Sequence, residues 1–217
     1  MPVTTTHNYI DNYPIGQNSN KLIVGTIHPH LVGNFNIDFF YGNVASFWDI
    51  LSNAFPQRQF GNLNEIIETL DTYNVAITDI IRQCDRENEN VTADSGLYNI
   101  VHNGEQIKAG IQNSKIDTIY FTSRLGVNNA AKLFVDTFDI IYKFDPLTSE
   151  FIIPPKYFGR QIRCVVLYSP SNMANIGISR AAPYRSNFEH FQEFEHPIKQ
   201  FKIEFYQNKF EFFNIDM

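Results

Sequence analysis

Long apolar runs are missing from this chain, and no stretch reaches the roughly 18 residues that a membrane span needs. The first residues, Met-Pro-Val-Thr-Thr-Thr-His, hold no basic segment followed by an apolar one, so no secretory leader is expected. Cysteine is scarce. Cys84 and Cys164 are the only two, and they are expected as buried free thiols rather than a disulfide, which fits a reducing, cytoplasmic compartment. No Cys/His set has zinc spacing, no Gly-x-Ser-x-Gly elbow marks a serine nucleophile, and no glycine pattern cradles a phosphate. Neither a metal nor a cofactor is implied. Positive charge is short as well: 17 Lys and Arg against 23 Asp and Glu leave a formal charge of −6. That balance argues against tight, non-specific nucleic-acid binding through bulk charge.

What is present is ordinary globular material. The 217 residues are 43% hydrophobic and 18% charged, enough for one substantial core, and a single domain is expected. Twenty Phe and 11 Tyr fill that core and leave a surplus for stacking surfaces. Four short apolar runs, 21–26, 73–78, 117–122 and 163–168, are rich in Val or Ile and end at polar breaks. Their hydrophobicity is continuous, as in strands covered on both faces of a parallel sheet. Helical spacing appears over 46–54, 63–70 and 128–138, and a helix over 183–194 opens on a proline suited to a first turn. The alternation predicts an α/β fold: a three-layer α/β/α sandwich around a short, mainly parallel four-stranded sheet. Aromatic runs on either side of Gln207-Asn208-Lys209 predict a C-terminal β-hairpin over 201–213, and 140–153 reads as a second hairpin.

Three loops carry candidate chemistry. Gly25-Thr26-Ile27-His28-Pro29-His30 follows the first strand, where open α/β sheets bind ligands. His28, set before a proline that fixes the backbone, is either a hydrogen-bonded structural residue or one that positions a water near neutral pH. Phe39-Phe40-Tyr41-Gly42-Asn43 supplies rings and an amide, a wall on which a base could stack and be read. Phe47 and Trp48 read as core, and Ser46 as an N-cap. Ser169-Pro170-Ser171-Asn172 follows the fourth strand and offers hydroxyls and backbone N–H groups to a phosphate. The tract 151–187 has no acidic residue and carries Lys156, Arg160, Arg163, Arg180 and Arg185 among tyrosines. It is either a solvated face or a nucleic-acid footprint.

In their order along the chain these pieces resemble the uracil-DNA glycosylase superfamily, in its mismatch-specific and hypoxanthine-type branch. His7-x-Tyr9 and Tyr13-Pro14 precede a strand that ends in the Gly25–Pro29 turn. The segment Phe40-Tyr41-Gly42-Asn43-Val44-Ala45-Ser46-Phe47-Trp48-Asp49-Ile50-Leu51 is similar to the family's aromatic-Gly-x-Pro-Arg-Asn-x-Phe-Trp-x-x-Leu. The stretch 165–175 stands in the place of its strand and DNA-inserting loop. Weaker echoes lie at 76–86 and 120–134, and the likeness spans roughly residues 7–190. The chain departs from the pattern where Pro-Arg-Asn becomes Val44-Ala45-Ser46, where His28 replaces an Asp, Asn or Glu, and where Thr122 replaces a base-reading Asn.

The resemblance implies a monofunctional DNA glycosylase-like enzyme that hydrolyses the N-glycosidic bond of a flipped, deaminated or mismatched base in DNA, without a metal or cofactor. It implies catalytic positions at His28, Asn43 and Ser46. It implies substrate-binding positions at Gly25, Thr26, Pro29, Tyr41, Thr122, Ser169, Pro170, Ser171 and Asn172. Two alternatives stay open: a nucleic-acid or nucleotide binder that keeps the fold without the chemistry, and an unrelated α/β hydrolase with a serine and a histidine.

Overall fold

The computed structural model describes residues 1–33, 35–43, 46–124 and 126–215. Its strands are β1 (Val3–Thr6), β2 (Lys21–Gly25), β3 (Val75–Asp79), β4 (Ile81–Arg86), β5 (Tyr98–His102), β6 (Thr118–Phe121), β7 (Glu150–Ile153) and β8 (Ile162–Val166). The helices are α1 (Phe47–Ala54), α2 (Leu63–Thr72), α3 (Gly104–Gln112), α4 (Ala130–Thr137), α5 (Pro155–Phe158), α6 (Asn175–Ile178), α7 (Ala182–Ser186), α8 (Phe188–Gln192) and α9 (Pro197–Lys209). The chain folds into two compact units, each made from two separate stretches: Met1–Phe35 with Asn74–Leu167, and Asn36–Tyr73 with Tyr168–Met217. No described helix is long and apolar enough to cross a membrane.

The first unit is built on a sheet with strand order β3-β2-β6-β8-β7. All four apolar runs expected as strands lie in it, and β2, β3, β6 and β8 run parallel. The sheet has five strands rather than four, because β7 joins β8 as an antiparallel edge. The reason lies in 140–153. Instead of closing a hairpin on itself, this stretch keeps one bridge, Asp145 to Glu150, and pairs the rest with β8. That choice buries Phe151 and Ile153 and stacks Phe151 on Phe121 at 6.1 Å. One face of the sheet, with Leu22, Val24, Ile119, Phe121 and Val166, packs on Ile107 and Ile111 of α3 and Leu133 and Phe134 of α4. Residues of the other face, Ile23, Ile77, Tyr120 and Val165, are buried too, which is why the strands read as continuous apolar runs.

A second sheet in this unit, β1-β4-β5, is antiparallel and was not anticipated. After β3 the chain makes a one-residue transition at Ile80 and enters the other sheet as β4. The polar Thr, Arg, Gln and Asp residues of these short strands hide them from a search for apolar runs.

The second unit is helical and aromatic. α1 packs on α9, and Phe47 meets the rings of Tyr206 and Phe210 at 5.8 and 6.1 Å. The expected C-terminal hairpin is therefore a helix followed by a 3₁₀ turn, Glu211–Asn214. Strand propensity of aromatic residues suggested otherwise, but Phe201, Phe205 and Tyr206 fall at helical spacing behind a Pro in the first turn. The helix expected over 183–194 is two short helices, α7 and α8, broken at Asn187.

Candidate functional site

The carboxyl ends of the parallel strands carry a buried polar cluster. Asp79 closes β3 opposite Gly25 of β2. Its Oδ2 accepts a hydrogen bond from His7 Nε2 at 2.7 Å, and His7 Nδ1 accepts from the backbone N–H groups of Tyr9 and Ile10. His7 thus uses both ring nitrogens to aim one neutral tautomer at the carboxylate. Asp79 is 4% exposed, and its Oδ1 is buried with no hydrogen-bond partner among the described residues. A carboxylate oxygen left so costs free energy unless a water or a ligand completes it.

The second carboxylate, Asp94, stands in the 3₁₀ turn Asp94–Gly96. Thr26 Oγ1 donates to its Oδ2 at 3.1 Å, which ties the turn to the residue just after β2. Asn128, in left-handed backbone at φ 55°, donates from Nδ2 to the carbonyls of Asp94 and Leu97 and holds the turn from the other side. Burial pushes the Asp94 carboxyl up to about 6, with Asp79 adding to the rise while the Thr26 hydroxyl and Arg86 oppose it. A carboxyl near 6 at the edge of a parallel sheet is suited to take or give a proton close to neutral pH.

Arg86 underpins the cluster. It is 1% exposed and donates to Thr5 Oγ1 at 3.0 Å, Val91 O at 2.6 Å and His28 O at 2.9 Å. The Thr5 hydroxyl, accepting from Arg86, has its own proton for His30 Nδ1 at 3.1 Å.

The first unit gathers five of the residues expected from sequence. Gly25 and Thr26 accept at their carbonyls from Ile80 and Ile81, Thr122 donates weakly to Val24 O, and Pro29 accepts at its carbonyl from His28. His28 itself is 7% exposed, with Nδ1 donating to Pro29 O at 2.6 Å and Nε2 accepting from Asn8 N at 3.0 Å. Burial lowers its pKa, so it is a neutral ring. Packed edge-on against His7 and Tyr9, it has no ring nitrogen left to hold a water. Of the two readings of His28, the geometry favours the structural one.

The other seven lie in the second unit. Tyr41 is half-buried at φ 55° with its ring 5.2 Å from Phe47, and Asn43 is exposed. Ser46 precedes α1 but does not cap it, because its hydroxyl donates back to the carbonyls of Tyr41 and Asn43. The N-cap expectation is corrected in that respect: the hydroxyl stabilises the loop rather than the helix. Val44 and Ala45 lie outside the described residues. At Gly42 a Cβ would come 1.7 Å from the Ile37 carbonyl oxygen, so only glycine lets the loop close. Gly42→Ala is expected to lower the unfolding free energy by about 1–3 kcal/mol, measured by urea denaturation. A variant as stable as the parent would contradict the fit.

Ser169 and Ser171 use their side chains on the loop itself, accepting from Ser171 N and Met173 N. Asn172 is exposed, and Pro170 is buried with its carbonyl bonded to Lys202. The acid-free tract is less free than its sequence suggests. Arg163 forms a two-pronged pair with Glu150, just upstream of the tract, and Arg160 is spent on the carbonyls of Gln112, Ser114 and Ile116.

Sequence reasoning missed Asp79, Asp94 and Arg86 as site residues, and it placed His7 only in the His7-x-Tyr9 motif ahead of the first strand. A usable signal was there: an aspartate ending an apolar run, where the strand ends of an α/β sheet meet ligands. Among the described residues no three His, Cys, Asp or Glu side chains are grouped to hold a metal. No family model and no curated protein matches the chain.

Proposed function

We propose that the chain is a DNA glycosylase-like hydrolase of the uracil-DNA glycosylase type, acting on the N-glycosidic bond of a deaminated or mismatched base. The observation that carries the reading is the pair Asp79 and Asp94 at the carboxyl edge of the parallel sheet, one with an unpartnered oxygen and one with a pKa of about 6. Burial of both faces of that sheet is in keeping with a three-layer α/β/α arrangement, and two buried free cysteines with a cytoplasmic protein.

The reaction breaks the C1′–N bond, sends the electron pair to the departing base and leaves an oxocarbenium-like sugar. Asp79, oriented by His7, supplies negative charge to that cation. Asp94, ionised above its pKa, accepts a proton from the water whose oxygen bonds to C1′. The Thr26 hydroxyl fixes the carboxylate that does this, and His28, packed on His7 and Tyr9, is a neutral ring, so no imidazolium opposes the sugar cation.

Oligonucleotides carrying uracil, hypoxanthine or a mismatch test the proposal. Abasic product from at least one of them, lost in Asp94→Asn, is expected. A second reading, a binder without chemistry, draws on the full commitment of the His28 ring and the Ser46 hydroxyl. It is distinguished by salt-sensitive binding with no abasic product from any oligonucleotide at high protein concentration.

A further inference from the structure

The second unit contains an amine that the proposed hydrolysis does not use. Lys202 on α9 is 2% exposed and has no carboxylate partner among the described residues. Its Nζ donates to Pro170 O at 3.1 Å and Ser171 O at 3.0 Å. A cavity of about 500 Å³ opens beside it, lined also by Ile50, Asn172 and Asn175, and by Lys199, whose charge is matched by Asp49 at 2.9 Å. That volume suits a small organic ligand. Asn175 Oδ1, on the cavity wall, is buried and has no hydrogen-bond partner among the described residues.

We propose that Lys202 is a nucleophile that captures an aldehyde, the ring-opened sugar of an abasic site, as an imine in this cavity. The aldehyde class rests on the hydrolysis proposed above, whose product is an abasic sugar. A neutral amine has two N–H groups and one lone pair. The two carbonyls occupy two donor positions of Nζ, so the position left over carries the third proton of the ammonium or the lone pair of the amine. Burial lowers the pKa of Lys202 to about 8, which leaves a substantial neutral fraction near neutral pH. The lone pair forms a bond to C1′, the carbonyl oxygen takes up protons and leaves as water, and a C=N bond remains. The protonated imine keeps one N–H, enough for one of the two carbonyls. Asn175 Oδ1 accepts from the C4′ hydroxyl that ring opening sets free.

The test uses the full chain and an oligonucleotide carrying a preformed abasic site, so it does not depend on base removal. Sodium borohydride reduces an imine to a stable amine, and a protein–DNA adduct is expected on a denaturing gel. Peptide mapping is expected to find the added mass on the peptide that contains Lys202. Lys202→Arg keeps the charge and donors but forms no imine, and at least a tenfold drop in adduct is expected, with Lys108→Arg unchanged as control. Mapping of the wild-type adduct keeps the proposal testable if Lys202→Arg folds poorly. No adduct with the wild type, or an adduct mapped to other lysines, overturns it. Adduct formation without any base removal from modified oligonucleotides overturns only the hydrolysis.

Discussion

Arg86→Met is expected to lower the unfolding free energy by about 3–5 kcal/mol. The guanidinium joins three otherwise separate pieces of the first unit: Thr5 on β1, the Val91 carbonyl ahead of the Asp94 turn, and the His28 carbonyl. Methionine fills similar volume but leaves two carbonyls and a hydroxyl without their donor. Each buried acceptor abandoned in this way costs about 1–3 kcal/mol, partly offset because a buried cation no longer has to be desolvated. Arg86→Lys is expected to recover little, because one ammonium on a flexible stem cannot reproduce three directed bonds in a planar fork. Urea unfolding near pH 7 measures both variants. A loss under about 1 kcal/mol in Arg86→Met would show that the three contacts are incidental to stability.

How far the fold could be read beforehand depended on where each residue's partners lie along the chain. β2, β3, β6 and β8 are legible because a strand buried on both faces leaves a local mark, an unbroken run of Val, Ile and Leu. β1, β4 and β5 leave no such mark. Their pattern is polar and short, and each makes sense only beside its neighbour, as when Thr5 pairs with Cys84. α9 was misread because ring-rich segments suit strands as well as helices, and the deciding fact is the packing of Phe47 on Tyr206 and Phe210.

The site follows the same rule. Its location at the end of β2 was legible from the glycine, histidines and proline that follow an apolar run. The residue proposed as its base was not, because Asp94 within Ala93-Asp94-Ser95-Gly96 looks like any turn aspartate. It acquires its character from burial and from Thr26, 68 positions earlier in the chain. His28 shows the converse. Its place in the loop left a structural and a water-positioning role both open, and its actual neighbours, Asn8 N and Pro29 O, leave the ring chemically occupied.

Asp94→Asn is expected to slow hydrolysis by orders of magnitude and to stabilise the protein at the same time. The Asp94 carboxyl sits at about 6 in the folded chain against an ordinary value of 3.8, so between those values the native state binds the proton that the unfolded state has released. Stability from this group is therefore fully present below about pH 4, falls as pH rises, and is gone above about pH 6. At pH 7.5 the folded protein carries a carboxylate it would rather protonate. Two pKa units correspond to nearly 3 kcal/mol, but the residue keeps some exposure to solvent, and a gain of about 1–2 kcal/mol on substitution is the realistic size. Asparagine still accepts from Thr26 Oγ1, so the turn keeps its tether. It cannot take a proton from water, and activity on the best oligonucleotide is expected to fall about 10²–10⁴-fold. The wild-type rate should rise with pH through about 6 and then level, since the ionised form is the base. Two outcomes count against the assignment: activity within tenfold of wild type, or a variant less stable than wild type at pH 7.5. A stability difference that persists unchanged at pH 4 would separately remove the carboxyl's charge as the cause.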